Sequence, residues 1–349
     1  MPLVVDNKYI AFDDLMSLQD LSVAHPELSQ VYDILTDWFD EDKTTLSAST
    51  SGSTGTPKEI QISKTAMKSS AEKTAHYFKF KSGDWVLNGL PLNFIAGKMM
   101  IVRSIVSELN LVVVPPTSTP LVGYEKYNFD FVPLTPFQLL QSLSQVPASL
   151  QRVKNILLGG GPVMPQLMSQ LTQLTSTVYH GYGMTETITH VAVRNLSAGE
   201  RNFKPLPGVD ISINPERQLI IEADHLKDRI VTNDLGSLDA SGAFTWLGRV
   251  DNVINSGGVK IIPEEIEELL KSHIDCDVLI SSVKDELLGE KVILILETEK
   301  MPNDIDKLLH RLLTKYQLPK AIYLLPSFIR TETQKIQRKA TVTSAIENI

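Results

Sequence analysis

From about residue 60 to residue 190 the chain alternates between stretches of helical periodicity and short runs rich in β-formers, and nothing else in the sequence restricts the fold as strongly. "SKTAMKSSAEKTAHYF" (63–78) reads as a helix with Ser63 as its N-cap, followed by "DWVLNGL" as a strand, "AGKMMIVRSIVSEL" as a helix and "NLVVVP" as a strand. "PFQLLQSLSQV", "VKNILLGG", "MPQLMSQLTQL" and "STVYHGYG" repeat the pattern. Strands separated by helices return to one sheet by crossovers, so the alternation predicts a large layered α/β domain with largely parallel strands. The longest apolar run, "LNLVVVPP" (109–116), ends at Pro115-Pro116 and is too short to span a membrane; it reads as a buried strand.

On either side of this region the pattern changes. Residues 1–48 form a preamble with two helical stretches, of which "ELSQVYDILTDWF" (27–39) is the more clearly amphipathic. Between about 205 and 248, "DISINPERQLIIEA" and "GSLDASGAFTWLG" alternate with period two around turn residues, which predicts a small antiparallel β unit. After "GRVDN" mixed elements return: "PEEIEELLKSH" and "DIDKLLHRLLTKY" as helices, "DVLISSV" and "KVILILET" as strands. A length of 349 residues accommodates two domains, and the expected division is 1–248 and 249–349, with the boundary at about Arg249–Asp251.

Composition removes several function classes. A net charge of −8 with no local gathering of basic residues argues against a nucleic-acid or membrane-surface partner. The lone cysteine, Cys276, excludes an internal disulfide framework, and with seven scattered histidines a structural zinc site is not expected. The N-terminal "MPLVVDNKYIAFDD" carries acidic residues where a signal peptide would be basic, so a cytoplasmic location is expected.

"STSGSTGTPKEIQI" (49–62) concentrates Ser, Thr and Gly ahead of Pro57-Lys58. Converging backbone N–H groups, hydroxyls and a lysine can hold phosphate oxygens. The stretch is no P-loop: its lysine follows a proline, and "KEIQI" reads as a strand where a P-loop opens a helix. Taken alone it reads first as a mobile surface loop. It is followed in order by "YGMTET" (182–187), "TNDLG" (232–236), "GRVDNVINSGGVK" (248–260) and "TETQKIQR" (331–338). These five stretches resemble the core motifs of the adenylate-forming superfamily, which includes acyl-CoA synthetases, firefly luciferase and peptide-synthetase adenylation domains. The resemblance runs from about residue 47 to residue 340 and implies a large N-terminal domain followed by a smaller, mobile α+β C-terminal domain.

The resemblance also implies a chemistry: a carboxylate attacks the α-phosphate of ATP, pyrophosphate leaves, and a thiol takes the acyl group. Positioning and electrostatics must carry such a reaction. On this reading Ser51, Gly52, Ser53, Thr54, Gly55, Thr56 and Lys58 hold the β- and γ-phosphates. Tyr182 lies against adenine with Gly183 beside it, Gly181 borders the acyl substrate, Thr185 touches a phosphate, and Glu186 helps hold Mg2+, a hard cation that prefers oxygen. Gly159, Gly160 and Gly161 in "LLGGGPV" border adenine and the acyl group, Asp234 accepts from both ribose hydroxyls, and Arg249 sits near the ribose and α-phosphate. Lys335 reaches the α-phosphate and carboxylate during adenylation, although Gln334 stands where the family usually has glycine. Asp251 matches the hinge about which the small domain swings. Gly257-Gly258 would leave room for a pantetheine arm, and a tight turn explains that pair equally well.

Within the superfamily, "TSGSTGTPK", "IAGKMMIVR", "LLGGGP", "GYGMTETITHVA" and "GRVDNVINSGGVKI" are similar to the short bacterial o-succinylbenzoate–CoA ligases of menaquinone biosynthesis. Only about 50 residues precede the phosphate loop, fewer than in the wider superfamily, which implies an acyl pocket with fewer walls. ATP, Mg2+ and CoA are the implied cofactors and co-substrates. The implied acid carries a second, aromatic carboxylate, and a buried anion requires a cation or several donors. Lys98 near the start of its helix, or His190, could supply one, each with an ordinary structural role as the alternative, while Phe94 could wall the aromatic pocket. The sequence does not set an oligomeric state.

Overall fold

A computed structural model describes residues 2–5, 8–24, 27–49, 59–331 and 335–347. The chain divides into two compact units, Met1–Ile211 with Ile221–Ile230, and Ser212–Ile220 with Val231–Ile349. By this division the expected boundary near Arg249–Asp251 falls inside the second unit. Contact density groups what is packed together, whereas a hinge is defined by what moves, so a hinge at Asp251 stays a proposal.

The first unit begins with the hairpin β1 (Pro2–Val5) and β2 (Lys8–Ala11), helices α1 (Leu15–Ala24) and α2 (Glu27–Phe39), and the antiparallel pair β3 (Thr45–Ser49) and β4 (Glu59–Ser63). Then come α3 (Lys64–Phe78), β5 (Trp85–Asn88), α4 (Ile95–Val106), β6 (Asn110–Val113) and β7 (Phe129–Leu134). The alternation continues with α5 (Pro136–Gln145), α6 (Pro147–Leu150), β8 (Val153–Leu158), α7 (Pro165–Gln170), β9 (Thr177–Gly183), β10 (His190–Asn195) and β11 (Lys204–Pro205). A nine-stranded sheet runs in the order β11-β10-β9-β8-β7-β5-β6-β1-β2. Its centre is parallel, as the alternation predicts, and its two edges are antiparallel. Helices on crossovers cover parallel strands on both faces, which is why Val4, Leu87, Val112, Val132, Ile156 and Val178, from six successive central strands, are all fully buried. Local signals act as read: Ser63 accepts from the Ala66 N–H at 3.5 Å to cap α3, and Thr135 with Gln138 forms a capping box on α5. The β1–β2 hairpin was not legible, because its strands are only four residues long.

Beyond it, β12 (Val209–Ile213), β13 (Gln218–Ala223), β14 (Ile230–Leu238) and β15 (Phe244–Arg249) make a four-stranded sheet, and the division between the units runs through β12 and β13. The second unit continues with β16 (Ile254–Ser256), β17 (Val259–Ile261), α8 (Pro263–Lys271), β18 (Val278–Asp285), β19 (Gly289–Glu297), α9 (Ile305–Leu312), β20 (Ala321–Leu325) and α10 (Arg338–Glu347). β19 is central in its sheet, between β16 and β18 on the ordered path and also parallel to β20. Val292, Leu294 and Leu296 share a core with Ile266 of α8 and Leu309 of α9, while Ile293 and Ile295 share another with Ala345 of α10. Burial on both faces is the reason "KVILILET" is nearly continuously apolar.

Candidate active site

In the first unit the candidate residues gather around the end of β9. Gly159 leaves β8 with its N–H donating to the Leu134 carbonyl at 3.0 Å, and Gly160 takes the left-handed conformation at φ +81°. A Cβ on Gly159 or Gly161 would meet nothing within 4 Å, so this loop presents bare main chain with open space over it. His180 of β9 ties the loop down through Nε2, 3.2 Å from the Gly161 carbonyl, while the Arg194 guanidinium donates to its Nδ1 at 3.1 Å. A carbonyl only accepts and a guanidinium only donates, so the proton sits on Nε2 and the ring is neutral. Burial, reinforced by Arg194, pushes the His180 pKa down to about 3.

Tyr182 is buried, its ring packed 5.8 Å from that of Phe203. Gly183 allows no side chain: a Cβ there would come within 2.3 Å of the Thr189 carbonyl oxygen and 2.6 Å of the His190 Cα. At Gly181 the His190 Cβ would stand 3.1 Å away. The turn that follows is held by Thr187, whose buried hydroxyl accepts from the Met184 N–H at 2.9 Å and lies 2.8 Å from the Thr189 carbonyl. Thr185, half-buried, and Glu186, exposed, ride on this turn. Thr187 was not singled out by the sequence, yet it fixes the turn on which both assigned residues sit.

His190, at the start of the next strand, belongs to a cluster centred on Arg103, a residue to which the sequence assigned no role. Arg103 of α4 is 2% exposed, and burial pushes its guanidinium down to about 9. Its Nε donates to Thr74 Oγ1 at 3.3 Å and its terminal nitrogen to Thr189 Oγ1 at 2.7 Å, and no carboxylate pairs with it among the described residues. Thr189, already accepting from Arg103, can donate to His190 Nδ1 at 3.0 Å. That leaves the His190 proton on Nε2, facing Thr74 Oγ1 at 3.5 Å; burial and the neighbouring Arg103 hold the ring pKa well below its ordinary value. His190 is therefore a neutral relay, and Arg103 is the cation of this cluster. A single arginine in the apolar face of "IAGKMMIVRSIV" was the signal that could have found it.

Lys98, on the same helix, points elsewhere: its Nζ donates to the Ser47 carbonyl of β3 at 2.5 Å, and burial lowers its pKa. Phe94 is the half-buried N-cap residue of α4 and forms a bridge with Ser49. Ser51, Gly52, Ser53, Thr54, Gly55, Thr56 and Lys58 lie outside the described residues; β4, which follows them, is a strand and not the helix a P-loop requires.

In the second unit Asp234 of β14 is the register partner of Arg249 of β15. Asp234 is 7% exposed, its carboxylate lies 3.6 Å from Arg249, and Arg249 also donates to Asp251 at 3.0 Å. Gly248 precedes Arg249 at φ +153°, where a Cβ would strike the Glu264 carboxylate at 2.4 Å. Gly257 and Gly258 form the two-residue turn between β16 and β17 with φ +58° and +81°, the conformation a tight hairpin demands. The Lys335 N–H donates to Thr331 Oγ1 at 3.1 Å, and burial lowers the pKa of its ammonium.

In the first unit the open glycine loop leaves space for a planar ring, and the exposed Glu186 carboxylate is the kind of oxygen ligand a hard cation takes; in the second unit Asp234 is an acidic acceptor held beside Arg249. Among the described residues no cluster of three or more His, Cys, Asp or Glu gathers to hold a metal by itself. No helix among the described residues is long and apolar enough to cross a membrane.

Residues 8–222 match the family model of the AMP-binding enzymes. The 2-succinylbenzoate–CoA ligase of Staphylococcus epidermidis is 27% identical over 323 residues, covering 83% of this chain and 68% of that protein. The ligase of the same name from Escherichia coli is 27% identical over 310 residues, covering 83% and 67%. Among solved structures, an acyl-CoA synthetase (AMP-forming)/AMP-acid ligase II-like protein from Dyadobacter fermentans is 34% identical with a TM-score of 0.63, over 92% of this chain and 95% of that one. The fold is also that of an o-succinylbenzoate CoA synthetase from Bacillus subtilis in complex with its acyl-adenylate intermediate, at 18% identity and a TM-score of 0.81, over 97% and 94% of the two chains. With more than half of its residues inside the family model, the chain belongs to the AMP-binding enzyme family.

Proposed function

We propose that this protein is an ATP-dependent acid–thiol ligase that adenylates o-succinylbenzoate and transfers the acyl group to coenzyme A, a step of menaquinone biosynthesis. The observation that carries the choice of acid is Arg103: a buried guanidinium held by two hydroxyls and lacking a carboxylate among the described residues calls for an anion from outside the chain. The second carboxylate of an aromatic diacid supplies one. The relatives named above support the same substrate class.

Bound ATP with Mg2+ supplies the phosphorus electrophile and a pyrophosphate leaving group. The chain's own residues then have separate tasks. Gly159, Gly160, Gly161 and Tyr182 border the adenine with Gly183 beside them, Gly181 borders the acyl substrate, and Asp234 accepts from the ribose hydroxyls with Arg249 nearby. Thr185 and the loop of Ser51, Gly52, Ser53, Thr54, Gly55, Thr56 and Lys58 hold phosphate oxygens, and Glu186 holds the metal. Lys335 supplies charge to the reacting phosphate and carboxylate. Phe94 walls the aromatic ring, Lys98 orders the neighbouring strand, Asp251 is the hinge, and Gly257-Gly258 leave passage for the pantetheine arm. All three substrates are small and water-soluble, and neither a membrane nor a nucleic acid is needed.

Acid-dependent ATP–pyrophosphate exchange tests this across a panel: o-succinylbenzoate, the same acid without its ring carboxylate, a simple aryl acid and a fatty acid, each followed by mass detection of the CoA thioester. Exchange is expected with o-succinylbenzoate, and its absence overturns the assignment. Equal rates for the acid lacking the ring carboxylate point instead to a ligase for another aryl acid and remove the role given to Arg103.

A further inference from the structure

The described residues on either side of Lys335 are held by two arginine–glutamate forks. On the N-terminal side, Arg330 places its two terminal nitrogens on the two oxygens of Glu297, one at 2.5 Å and the other at 2.6 Å, and reaches Asp277 at 2.6 Å. The Phe328 N–H also donates to Glu297 at 2.7 Å. On the C-terminal side, Arg338 forks onto Glu267 at 3.0 and 2.7 Å and donates to the Ile280 carbonyl at 2.5 Å, while the Ile280 N–H returns to Glu267 at 2.8 Å. The acceptors belong to regular elements: Glu297 ends β19, Asp277 precedes β18, and Glu267 is on α8. Between the forks, Arg330 and Ile336 bridge, the Thr331 N–H donates to the Lys335 carbonyl at 2.9 Å, and the Gln337 N–H to the Ile329 carbonyl at 2.8 Å.

A lysine side chain is long and flexible, so the accuracy with which its charge is delivered is limited by the backbone it grows from. A bidentate fork fixes both distance and plane, which a single hydrogen bond does not. We propose that Arg330 and Arg338 are positioning residues for Lys335, clamping the chain on either side of it so that one ammonium is presented to the adenylation chemistry. This rests on the reading that Lys335 serves adenylation. Arg330 is the informative member, because Arg338 opens α10 and also anchors that helix to the rest of the unit.

The experiment uses the full chain with Lys335→Ala, Arg330→Met and the double variant, each followed by ATP–pyrophosphate exchange, by conversion of supplied o-succinylbenzoyl-adenylate to thioester with CoA, and by thermal melting. Lys335→Ala is expected to lower exchange by roughly 100-fold or more and to leave the thioester step within about 3-fold. Arg330→Met should lower exchange by roughly 10- to 100-fold, also sparing the thioester step, and should cost less than about 3-fold further when Lys335 is already absent. Arg330→Lys should restore part of the loss. Equal loss in both half-reactions, or full loss in the Lys335→Ala background, makes the fork scaffolding only and overturns the proposal. A silent Arg330→Met beside a damaging Lys335→Ala overturns the proposal alone, whereas a silent Lys335→Ala overturns the reading of the lysine with it. If Arg330→Met does not fold, Glu297→Gln weakens the same fork without changing its shape and is held to the same outcomes.

Discussion

Arg103 in the first unit and Arg338 in the second are both guanidiniums taken largely out of water, and they keep opposite company. Arg338 meets a carboxylate through two parallel bonds; burial works against its charge, and the attraction of Glu267 raises its pKa all the same. Arg103 meets two threonine hydroxyls and a methionine sulfur, and burial lowers its pKa with no compensating carboxylate among the described residues. A buried cation with its counter-charge built in completes a scaffold. One without it is left electrostatically incomplete until a ligand arrives.

The largest effect that separates the two is on folding. Arg338→Met strands Glu267, 7% exposed and still receiving the Ile280 N–H, without its cation. The expected loss is about 3–5 kcal/mol in urea unfolding of the second unit's transition. A loss below about 1 kcal/mol would show that the pair is not scaffolding and erase the contrast.

Arg103→Met should do the reverse. With no carboxylate left behind, stability is expected to stay within about 1 kcal/mol of wild type, since the change removes a desolvated charge as well as two hydrogen bonds. Turnover should suffer instead: kcat/KM for o-succinylbenzoate should fall roughly 100-fold, about 3 kcal/mol, and that for the acid lacking the ring carboxylate by less than about 3-fold. A uniform loss across both acids, or destabilisation as deep as that of Arg338→Met, would place Arg103 with the scaffold.

The contrast also marks what sequence reading can reach. The parallel centre of the sheet was legible because its helices and strands alternate over some 130 residues, and periodicity survives any detail of packing. The motif residues Gly159 to Gly161, Asp234 and Arg249 were legible as motifs, and the structure gives each a local reason to be where it is. Arg103, Arg330 and Arg338 were not legible, for one physical cause. Whether an arginine is a surface charge, a clamp or a ligand anchor is decided by partners 29 to 86 positions away, such as Thr74 and Thr189 for Arg103 or Glu267 for Arg338. Lys98 shows the same limit from the other side, since the carbonyl that takes its charge is at Ser47, 51 positions earlier.

Arg194 provides the smallest and finest comparison, a guanidinium beside an imidazole that it keeps neutral. His180 holds a pKa of about 3 in the folded chain against an ordinary 6.5, because burial and Arg194 both disfavour its charged form. Between those values the unfolded chain binds a proton that the folded chain refuses. Stability is therefore fully retained above about pH 6.5 and falls as pH drops through that window, by about 1 kcal/mol per pH unit for this one ring. His190, shifted in the same direction, adds to the slope. Urea unfolding at pH 7 and pH 5.5 should accordingly show wild type losing about 1 kcal/mol more than His180→Gln, whose amide can still donate towards Gly161 and accept from Arg194 but cannot titrate. Equal losses in the two proteins would mean that the imidazole accepts its proton in the folded state, and that Arg194, unlike Arg103, tolerates a second cation at its side.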